Sequence, residues 1–375
     1  MKTLQTLTVL AGILNDPLIQ AYSQEDAISF LRKLYERGAE EGFAAYLANA
    51  VLTDANAFSR ACAAGKNPSE FVRRAYLDDL KAISAVMEEE PHGFAYGETP
   101  SLLAGWNEAA MLRLKSYYAK NGCGIWLSHT AFRYNGTLQP ILTPSEVTLS
   151  DLKGYESEKA EIEDNFDNFV RGLPYSDMLL YGDRGTGKSS TVKALLNEYA
   201  GQRLRMIEMP KEFLRQLPDL TGHLAAVPMK FIVFIDDLSF SDNDDSFAAL
   251  KAVLEGGLAS RPDNVVIYAT SNRRHLLRES FSARQGDEVH HADTVQEAVS
   301  LSDRFGITLT FLMPDKQRFL EIVEQIAADR GLDVDRQTLL NAAERWALER
   351  GARSPRYARQ FIADAQAKLS RGESL

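Results

Sequence analysis

The sequence predicts an α/β protein with a parallel sheet in its C-terminal part and helical segments before and after that sheet. From residue 177 to residue 312, short apolar runs of strand length alternate with segments of helix length. Such alternation is typical of a parallel sheet covered by helices. A glycine-rich loop follows the first run, and only helical periodicity is found after Pro314.

Five buried strands and three later helices are expected in this part of the chain. The strands are the apolar runs at 178–181, 204–209, 231–235, 265–269 and 307–312. The helices are expected at 316–330, 336–349 and 354–370. We therefore expect a five-stranded parallel sheet within an α/β domain at 146–314, followed by a C-terminal helical lid at 315–375.

The N-terminal part is mainly helical by pattern, up to about residue 120. Ile125-Trp126-Leu127 has the apolar character of a strand, and Asn135-Gly136 is a strong signal for a β-hairpin. Pro140 and Pro144 then indicate a linker. We expect a helical N-terminal domain with a short β-hairpin, spanning residues 1–145.

Composition argues against several classes of partner. The net charge is -10, so no overall field attracts the chain to nucleic acid or to anionic lipid, although the end from residue 330 is locally basic. Two cysteines without a CxxC motif indicate reduced thiols. No apolar run reaches the length of a membrane span, and no cleavage site follows the apolar N-terminus, so a cytoplasmic protein is expected.

A phosphate-binding loop follows the first predicted strand. The run from Gly182 to Ser189 matches GxxxxGK[ST] in full, between a strand and a helix. In such a loop the backbone N–H groups converge on phosphates, Lys188 adds positive charge and Ser189 offers a hydroxyl to Mg²⁺. The residues expected to bind the nucleotide here are Gly182, Asp183, Arg184, Gly185, Thr186, Gly187, Lys188, Ser189 and Ser190.

Two carboxylates follow the third predicted strand. Asp236 and Asp237 come directly after the apolar run 231–235, 48 residues beyond Lys188. A parallel strand delivers its last side chains to the sheet edge where the phosphates bind. We expect Asp236 to hold Mg²⁺ through water and Asp237 to polarise the attacking water. The predicted ligand is therefore ATP with Mg²⁺.

These motifs resemble those of the AAA+ class of P-loop ATPases over about residues 148–370. The resemblance implies that Asn272, or Thr270 as second candidate, is the polar sensor that closes the strand VVIYATSN. It implies that Arg304, in LSDRFG, is an arginine finger for a neighbouring subunit. It assigns the sensor of the lid to Arg353 first and Arg356 second, in GARSPR.

The segment before the loop completes the resemblance. Gly154 and Tyr155 resemble the pair whose backbone meets the adenine in this class. Within the class, runs such as YGDRGTGKSS and LSDRFG are similar to an uncharacterised bacterial ATP-binding family, known as a domain of unknown function. One departure is Asp237, where most active members have Glu, and it suggests slower turnover.

The resemblance implies a homo-oligomer, a ring that in this class is often a hexamer, remodelling a protein partner with ATP. A low-turnover ATP switch and a DNA-associated loader are the alternatives. Between Pro210 and Lys230 no aromatic-apolar-glycine pore loop is found, which argues against threading of polypeptides. The acidic composition argues against the loader.

Overall fold

The computed structural model describes residues 4–24, 27–37, 42–88, 100–239, 245–255, 262–272 and 304–375. The chain forms two compact units. The N-terminal unit comprises Met1–Thr130 together with the short segment Ala225–Met229. The sheet unit comprises Ala131–Leu224 and Lys230–Leu375. None of the helices within these ranges combines the length and apolarity needed to cross a bilayer.

The N-terminal unit is helical throughout its described elements. Its α-helices are α1 (Pro17–Gln24), α2 (Ala27–Glu36), α3 (Gly42–Thr53), α4 (Ala57–Ala63), α5 (Glu70–Glu88), α6 (Glu108–Asn121) and α7 (Ile125–Ser128), with 3-10 turns at Leu4–Thr6, Ala11–Asn15 and Ser101–Leu103. Aromatic rings pack against one another within its core, and Phe58 stacks on Tyr76 at 4.1 Å between centroids. Asn56 and Ser59 form a capping box that begins α4.

A buried carboxylate fixes the first turns of this unit. Asp79, on α5, is 3% exposed. Its Oδ2 accepts hydrogen bonds from the backbone N–H groups of Val9 at 2.8 Å and Leu10 at 2.9 Å, and its Oδ1 accepts one from Thr8 at 3.0 Å. A carboxylate bonded by several backbone donors is a strong, charge-assisted contact. It ties residues 4–15 to the middle of α5.

The sheet unit contains all the strands that the structure describes. These are β1 (Ala131–Tyr134), β2 (Leu138–Pro140), β3 (Met178–Gly182), β4 (Leu204–Glu208), β5 (Lys230–Ile235), β6 (Val265–Ser271) and β7 (Ile307–Phe311). Its helices are α8 (Glu156–Arg171), α9 (Lys188–Glu198), α10 (Leu217–Leu224), α11 (Asp245–Glu255), α12 (Lys316–Asp329), α13 (Arg336–Arg350) and α14 (Pro355–Ser370), with 3-10 turns at Ala200–Gln202 and Lys211–Gln216.

The sheet has the order β2-β1-β4-β5-β6-β3-β7, and every pair except β1 with β2 is parallel. β5 and β6 are almost wholly buried, as expected of central parallel strands with both faces covered. The five predicted strands correspond to β3 to β7, with bounds that differ by at most two residues.

The hairpin and the domain boundary differ from the sequence-based expectation. β1 pairs in parallel with β4, so the hairpin lengthens the sheet to seven strands rather than five. It belongs to the sheet unit, and the boundary lies at Thr130 instead of residue 145. Without β1, the edge of β4 would present unpaired backbone groups, and the hairpin satisfies them. The apolar run at Ile125 forms the short helix α7, not a strand.

The lid helices α12, α13 and α14 pack on one another through their own apolar core. Asp315, Asp335 and Ser354 cap their N-termini through side-chain hydrogen bonds to the backbone. Gly351 ends α13 in the left-handed conformation, with φ +73°. The three observed helices agree with the predicted ones to within one residue at each end.

The anchor at Asp79 can be tested by Asp79→Asn. The amide keeps one acceptor oxygen but turns N–H groups toward backbone donors, so we expect the N-terminal unit to lose about 2–3 kcal/mol. Both cysteines of the chain, Cys62 and Cys123, are buried in this unit, so the rate of thiol modification in increasing urea reports on its unfolding alone. The control is Asp78→Asn, an exposed neighbour whose loss should change little. Equal urea midpoints for the two variants would contradict the anchor.

Candidate nucleotide-binding site

The loop after β3 begins where only glycine fits. Gly182 has φ +137°, and a Cβ there would lie 2.1 Å from the carbonyl oxygen of Phe311 in β7. The next residue ties the loop to β7, since the N–H of Asp183 donates to that same carbonyl at 2.9 Å. The carboxylate of Asp183 accepts from the N–H of Met313 at 2.6 Å. Asp183 therefore supports the loop and faces the end of β7.

Lys188 is the first residue of α9, and it is 5% exposed. Its Nζ donates to the carbonyl oxygens of Gly182 at 2.8 Å and Asp183 at 2.7 Å, and to Oδ1 of Asn272 at 3.2 Å. Burial lowers the pKa of Lys188, and the charge of Asp183 is the largest effect that opposes this. The Lys188 ammonium is held by three acceptors at the start of α9. Because the N-terminus of a helix favours anions, this ammonium lies where a phosphate group would bind.

The two carboxylates at the end of β5 contact different partners. Oδ1 of Asp236 accepts hydrogen bonds from the hydroxyls of Ser189 and Thr270, both at 2.6 Å. Oδ1 of Asp237 accepts one from Nδ2 of Asn272, also at 2.6 Å. Asp237 has φ +52°, in the left-handed region. Ser189, Asp236, Asp237 and Asn272 are thus brought together as expected.

These groups line a cavity of about 510 Å³. Its lining residues are Arg184, Gly185, Gly187, Lys188, Ser189, Ser190, Asp236, Asp237, Thr270, Asn272, Arg356, Arg359 and Gln360. A Cβ at Gly187, where φ is +105°, would meet no atom within 4 Å, so the loop presents bare backbone to the cavity. Four cationic side chains and a helix N-terminus suit a polyphosphate.

The lid contributes two arginines to this cavity, and Arg353 is not one of them. The N–H of Arg356 donates to the carbonyl of Gly185 at 3.2 Å, which joins α14 to the loop. Arg359 follows one helical turn later and also lines the cavity. Arg353 instead lies 3.9 Å from Glu344 of α13, and its Nε is buried without a hydrogen bond. Of the two arginines proposed from the sequence as the sensor of the lid, the second candidate, Arg356, is the one that lines the cavity.

Arg359 was missed by the sequence analysis. Its signal was its spacing of three residues from Arg356 on a helix, which places both on one face. Burial lowers the pKa of Arg359, and the charge of Asp151 opposes this. Within the described ranges, its guanidinium makes no hydrogen bond and no ion pair, so its donors are available to a ligand.

Gly154 and Tyr155 lie before α8 and do not line the cavity. Both have positive φ, +84° and +60°. The Tyr155 hydroxyl donates to the carbonyl of Leu312 at 2.6 Å, and its ring packs on Phe311 at 4.9 Å. The pair thus fixes the start of α8 against the end of β7. Its predicted contact with adenine stays a prediction.

Arg304 lies at the amino-terminal end of the parallel strands, whereas the phosphate loop lies at their carboxyl-terminal end. It precedes β7, whose first residue, Ile307, pairs with Met178, the first residue of β3. The loop that begins at Gly182 follows the last residues of the same two strands. Five residues of strand span about 17 Å. Arg304 is half-buried and does not line the cavity of its own chain.

The oxygen groups present suit Mg²⁺ bound together with phosphate. Ser189 and Asp236 supply a hydroxyl and a carboxylate, the hard ligands that Mg²⁺ prefers. The described parts of the chain hold no group of three or more His, Cys, Asp or Glu residues that could bind a metal by themselves. Mg²⁺ usually has few protein ligands and takes the rest from water and phosphate, so these two residues fit it.

A family model described as "Protein of unknown function (DUF815)" matches residues 127–369. The chain belongs to this family. The match covers the sheet unit, including its hairpin and lid, and begins close to the observed boundary at Thr130. The resemblance to an uncharacterised family with a domain of unknown function is thereby confirmed.

This DUF815 chain is also similar to curated proteins. The 26S proteasome regulatory subunit 6B homolog of Encephalitozoon cuniculi is 25% identical over 217 residues, which are 52% of this chain and 54% of that protein. The replication factor C large subunit of Sulfurisphaera tokodaii is 28% identical over 128 residues, 32% of this chain and 28% of that protein. The chain thus spans about half or less of these relatives. The predicted AAA+ P-loop class is confirmed.

Among solved structures, the RuvB Holliday junction branch migration motor of Thermotoga maritima is similar to the DUF815 chain with a TM-score of 0.42 and 17% identity. The similarity covers 60% of this chain and 66% of that one.

The lid arginines can be separated by nucleotide affinity. We expect Arg356→Ala and Arg359→Ala each to weaken binding of ATP about tenfold, because each removes a charged donor from the cavity. Arg353→Ala is the matched control, since Arg353 directly precedes the cap of the same helix and does not line the cavity, and it should change the affinity by less than about threefold. Titration calorimetry measures all three. A larger loss in Arg353→Ala than in the other two would contradict the observed arrangement.

Proposed function

We propose that the protein binds ATP with Mg²⁺ in this cavity and hydrolyses it between subunits to remodel a protein partner. The observation that carries the proposal is the convergence of the phosphate loop, the carboxylates after β5 and the lid arginines on one cavity. Lys188, Arg356 and Arg359 neutralise phosphate charge, and the loop, which presents bare backbone at Gly187, donates N–H groups to the phosphates.

The carboxylates have separate roles in this proposal. Ser189 and Asp236 hold Mg²⁺, which neutralises charge on the phosphates when it is bound. Asp237 accepts a hydrogen bond from the attacking water, and Asn272, bonded to both Asp237 and Lys188, keeps that carboxylate near the phosphate loop. Positioning and charge stabilisation supply most of the catalysis of phosphoryl transfer.

The placement of Arg304 supports a homo-oligomer. Arg304 lies at the amino-terminal end of the strands, and the phosphate loop lies at their carboxyl-terminal end. A strand length of about 17 Å therefore separates Arg304 from the nucleotide site of its own chain. A guanidinium in that place acts on ATP only in a neighbouring subunit. A ring in which the cavity of one subunit faces Arg304 of the next satisfies this requirement.

The surface of the N-terminal unit supports the proposal of a protein partner. It has its own aromatic core and exposes large apolar side chains, namely Phe71 at 83%, Tyr35 at 72% and Ile28 at 63%. Ile28 and Tyr35 are seven residues apart on α2 and therefore lie on one face of that helix, an exposed apolar face that a partner protein would cover. The name of the replication factor C relative suggests DNA as a partner instead, and the net charge of -10 argues against DNA.

A switch with little turnover is the second candidate. Asp237 is one methylene shorter than the Glu that is usual in the class, and its Oδ1 is already bonded to Asn272. The shorter side chain extends less far toward a water molecule, and the bond to Asn272 occupies one of the two carboxylate oxygens. Such a protein would bind its partner in the ATP state and release it slowly.

Asp237→Asn separates binding from turnover. Asn tolerates the left-handed conformation at this position and can still accept from Asn272, so ATP affinity should stay within about twofold. Turnover should fall at least about a hundredfold because the charge that polarises water is lost. Phosphate release at saturating ATP measures it, with calorimetry as the binding control. Unchanged turnover would place the base elsewhere.

Arg304 separates a ring ATPase from a solitary switch. Arg304→Ala should bind ATP normally but hydrolyse it at least about a hundredfold more slowly, whereas Lys188→Ala should lose ATP affinity. In a mixture, intact Arg304 from the Lys188→Ala subunit can face the intact loop of the Arg304→Ala subunit, so activity should partly return. Wild-type turnover per subunit should rise with protein concentration. A parallel series of turnover measurements contains added DNA, which tests the DNA-associated loader.

The control for this experiment is Arg171→Ala, an exposed arginine paired with Asp167 within one helix. It should keep wild-type activity. If turnover per subunit is independent of concentration and the mixture stays inactive, the switch is the better account. Strong stimulation by DNA would favour the loader.

A further inference from the structure

Thr270 joins the two carboxylates that follow β5. It is the second-last residue of β6 and is 1% exposed. Its Oγ1 lies 2.6 Å from Oδ1 of Asp236 and 3.0 Å from the backbone nitrogen of Asp237. One hydroxyl therefore contacts both residues at once.

The direction of both hydrogen bonds is fixed by chemistry. A backbone N–H can only donate, so Oγ1 of Thr270 accepts from Asp237. The single hydroxyl proton is then donated to Oδ1 of Asp236, whose carboxylate accepts. Because threonine is branched at Cβ, few rotamers are open to this side chain, and the hydroxyl is held in place more firmly than a serine hydroxyl would be.

The bond to Asp236 orients its carboxylate. Oδ1 accepts two hydroxyl donors, from Ser189 and Thr270, each at 2.6 Å. Oδ2 accepts no hydrogen bond from the residues that the structure describes. Two donors on one oxygen fix the rotation of the group and leave the other oxygen for a water molecule of Mg²⁺.

The bonds to Asp237 and Leu238 fix the backbone beyond the strand. Asp237 adopts φ +52°, which residues with a side chain rarely do. Thr270 holds it from both sides: its hydroxyl accepts from the N–H of Asp237, and its carbonyl accepts from the N–H of Leu238 at 2.7 Å. A strained conformation of this kind persists where its surroundings determine it.

We propose that Thr270 is a positioning residue for the metal and for the water-activating carboxylate, an inference that rests on the proposed function. Its hydroxyl aims Asp236 at Mg²⁺, and its two backbone contacts aim Asp237 into the cavity. Thr270 was the second candidate for the sensor that touches the γ-phosphate. Since its hydroxyl is already engaged by Asp236 and Asp237, it acts through these residues instead.

The test compares ATP affinity with Mg²⁺ and with EDTA in the full-length chain. Thr270→Val keeps the shape of the side chain and removes the hydroxyl. We expect the gain in affinity that Mg²⁺ gives to fall about tenfold, while the affinity in EDTA changes less than twofold. Thr270→Ser restores the hydroxyl and should keep the Mg²⁺ gain within about threefold of wild type. Titration calorimetry gives both affinities without any need for turnover.

The matched control is Thr221→Val, since Thr221 is also buried and donates its hydroxyl to a carbonyl, that of Pro218, within α10. It should leave both affinities unchanged. If Thr270→Val does not fold, Thr270→Ala replaces it, because it adds no methyl group. The affinity in EDTA reports in each case whether the site is intact.

An unchanged Mg²⁺ gain in Thr270→Val would overturn the inference, as would an equal loss of affinity with and without metal, which indicates general damage. Failure of the wild type to bind ATP under either condition refutes the proposed function itself and is distinguishable from both. Where turnover is measurable, Thr270→Val should stay about tenfold slower even at saturating Mg²⁺, because Asp237 is no longer held.

Discussion

The register between the parallel strands determines where each polar group of the site lies. β5 pairs with β6 so that Ile235 lies opposite Ala269, and the next step along both strands sets Asp236 beside Thr270. β3 pairs with β6 so that Leu180 lies opposite the same Thr270, just before the loop that begins at Gly182. A slip of one residue would turn each side chain to the opposite face. The buried faces of β5 and β6 make such a slip costly, so the apolar core also fixes the geometry of the site.

Local sequence was sufficient for features that depend on neighbours along the chain. The strands β3 to β7, the lid helices and the phosphate loop all carry their signals within about ten residues, as strand-length apolar runs, caps and glycines. The hairpin was also visible at Asn135-Gly136. Its attachment to β4 was not, because nothing near residue 131 indicates which distant strand edge will pair with it. The run at Ile125 was ambiguous for a simpler reason, since a short apolar segment suits a helix as well as a strand.

The choice between lid arginines depended on contacts that the sequence does not express. Arg353 and Arg356 are three residues apart on either side of the cap at Ser354, so only Arg356 lies within α14. Gly185 lets α14 approach the phosphate loop, because a Cβ there would lie 2.9 Å from the Ser354 hydroxyl. That close approach places Arg356 and Arg359 in the cavity and leaves Arg353 with Glu344. The motif identified a helix that lines the cavity, and the packing of its first turn determines which arginines lie there.

The same sheet that assembles the site also separates it from Arg304. Strand β7 begins beside Arg304 and ends at Phe311, whose carbonyl supports the phosphate loop. The two ends of a strand that is paired in a sheet cannot approach each other without breaking that pairing, so the distance between them is a property of the fold. Under the proposed function, affinity for ATP then comes from the loop and lid of one chain, whereas the charge that assists hydrolysis comes from another. Binding without turnover is therefore the expected behaviour of a single subunit, and assembly rather than nucleotide concentration becomes the step that controls hydrolysis.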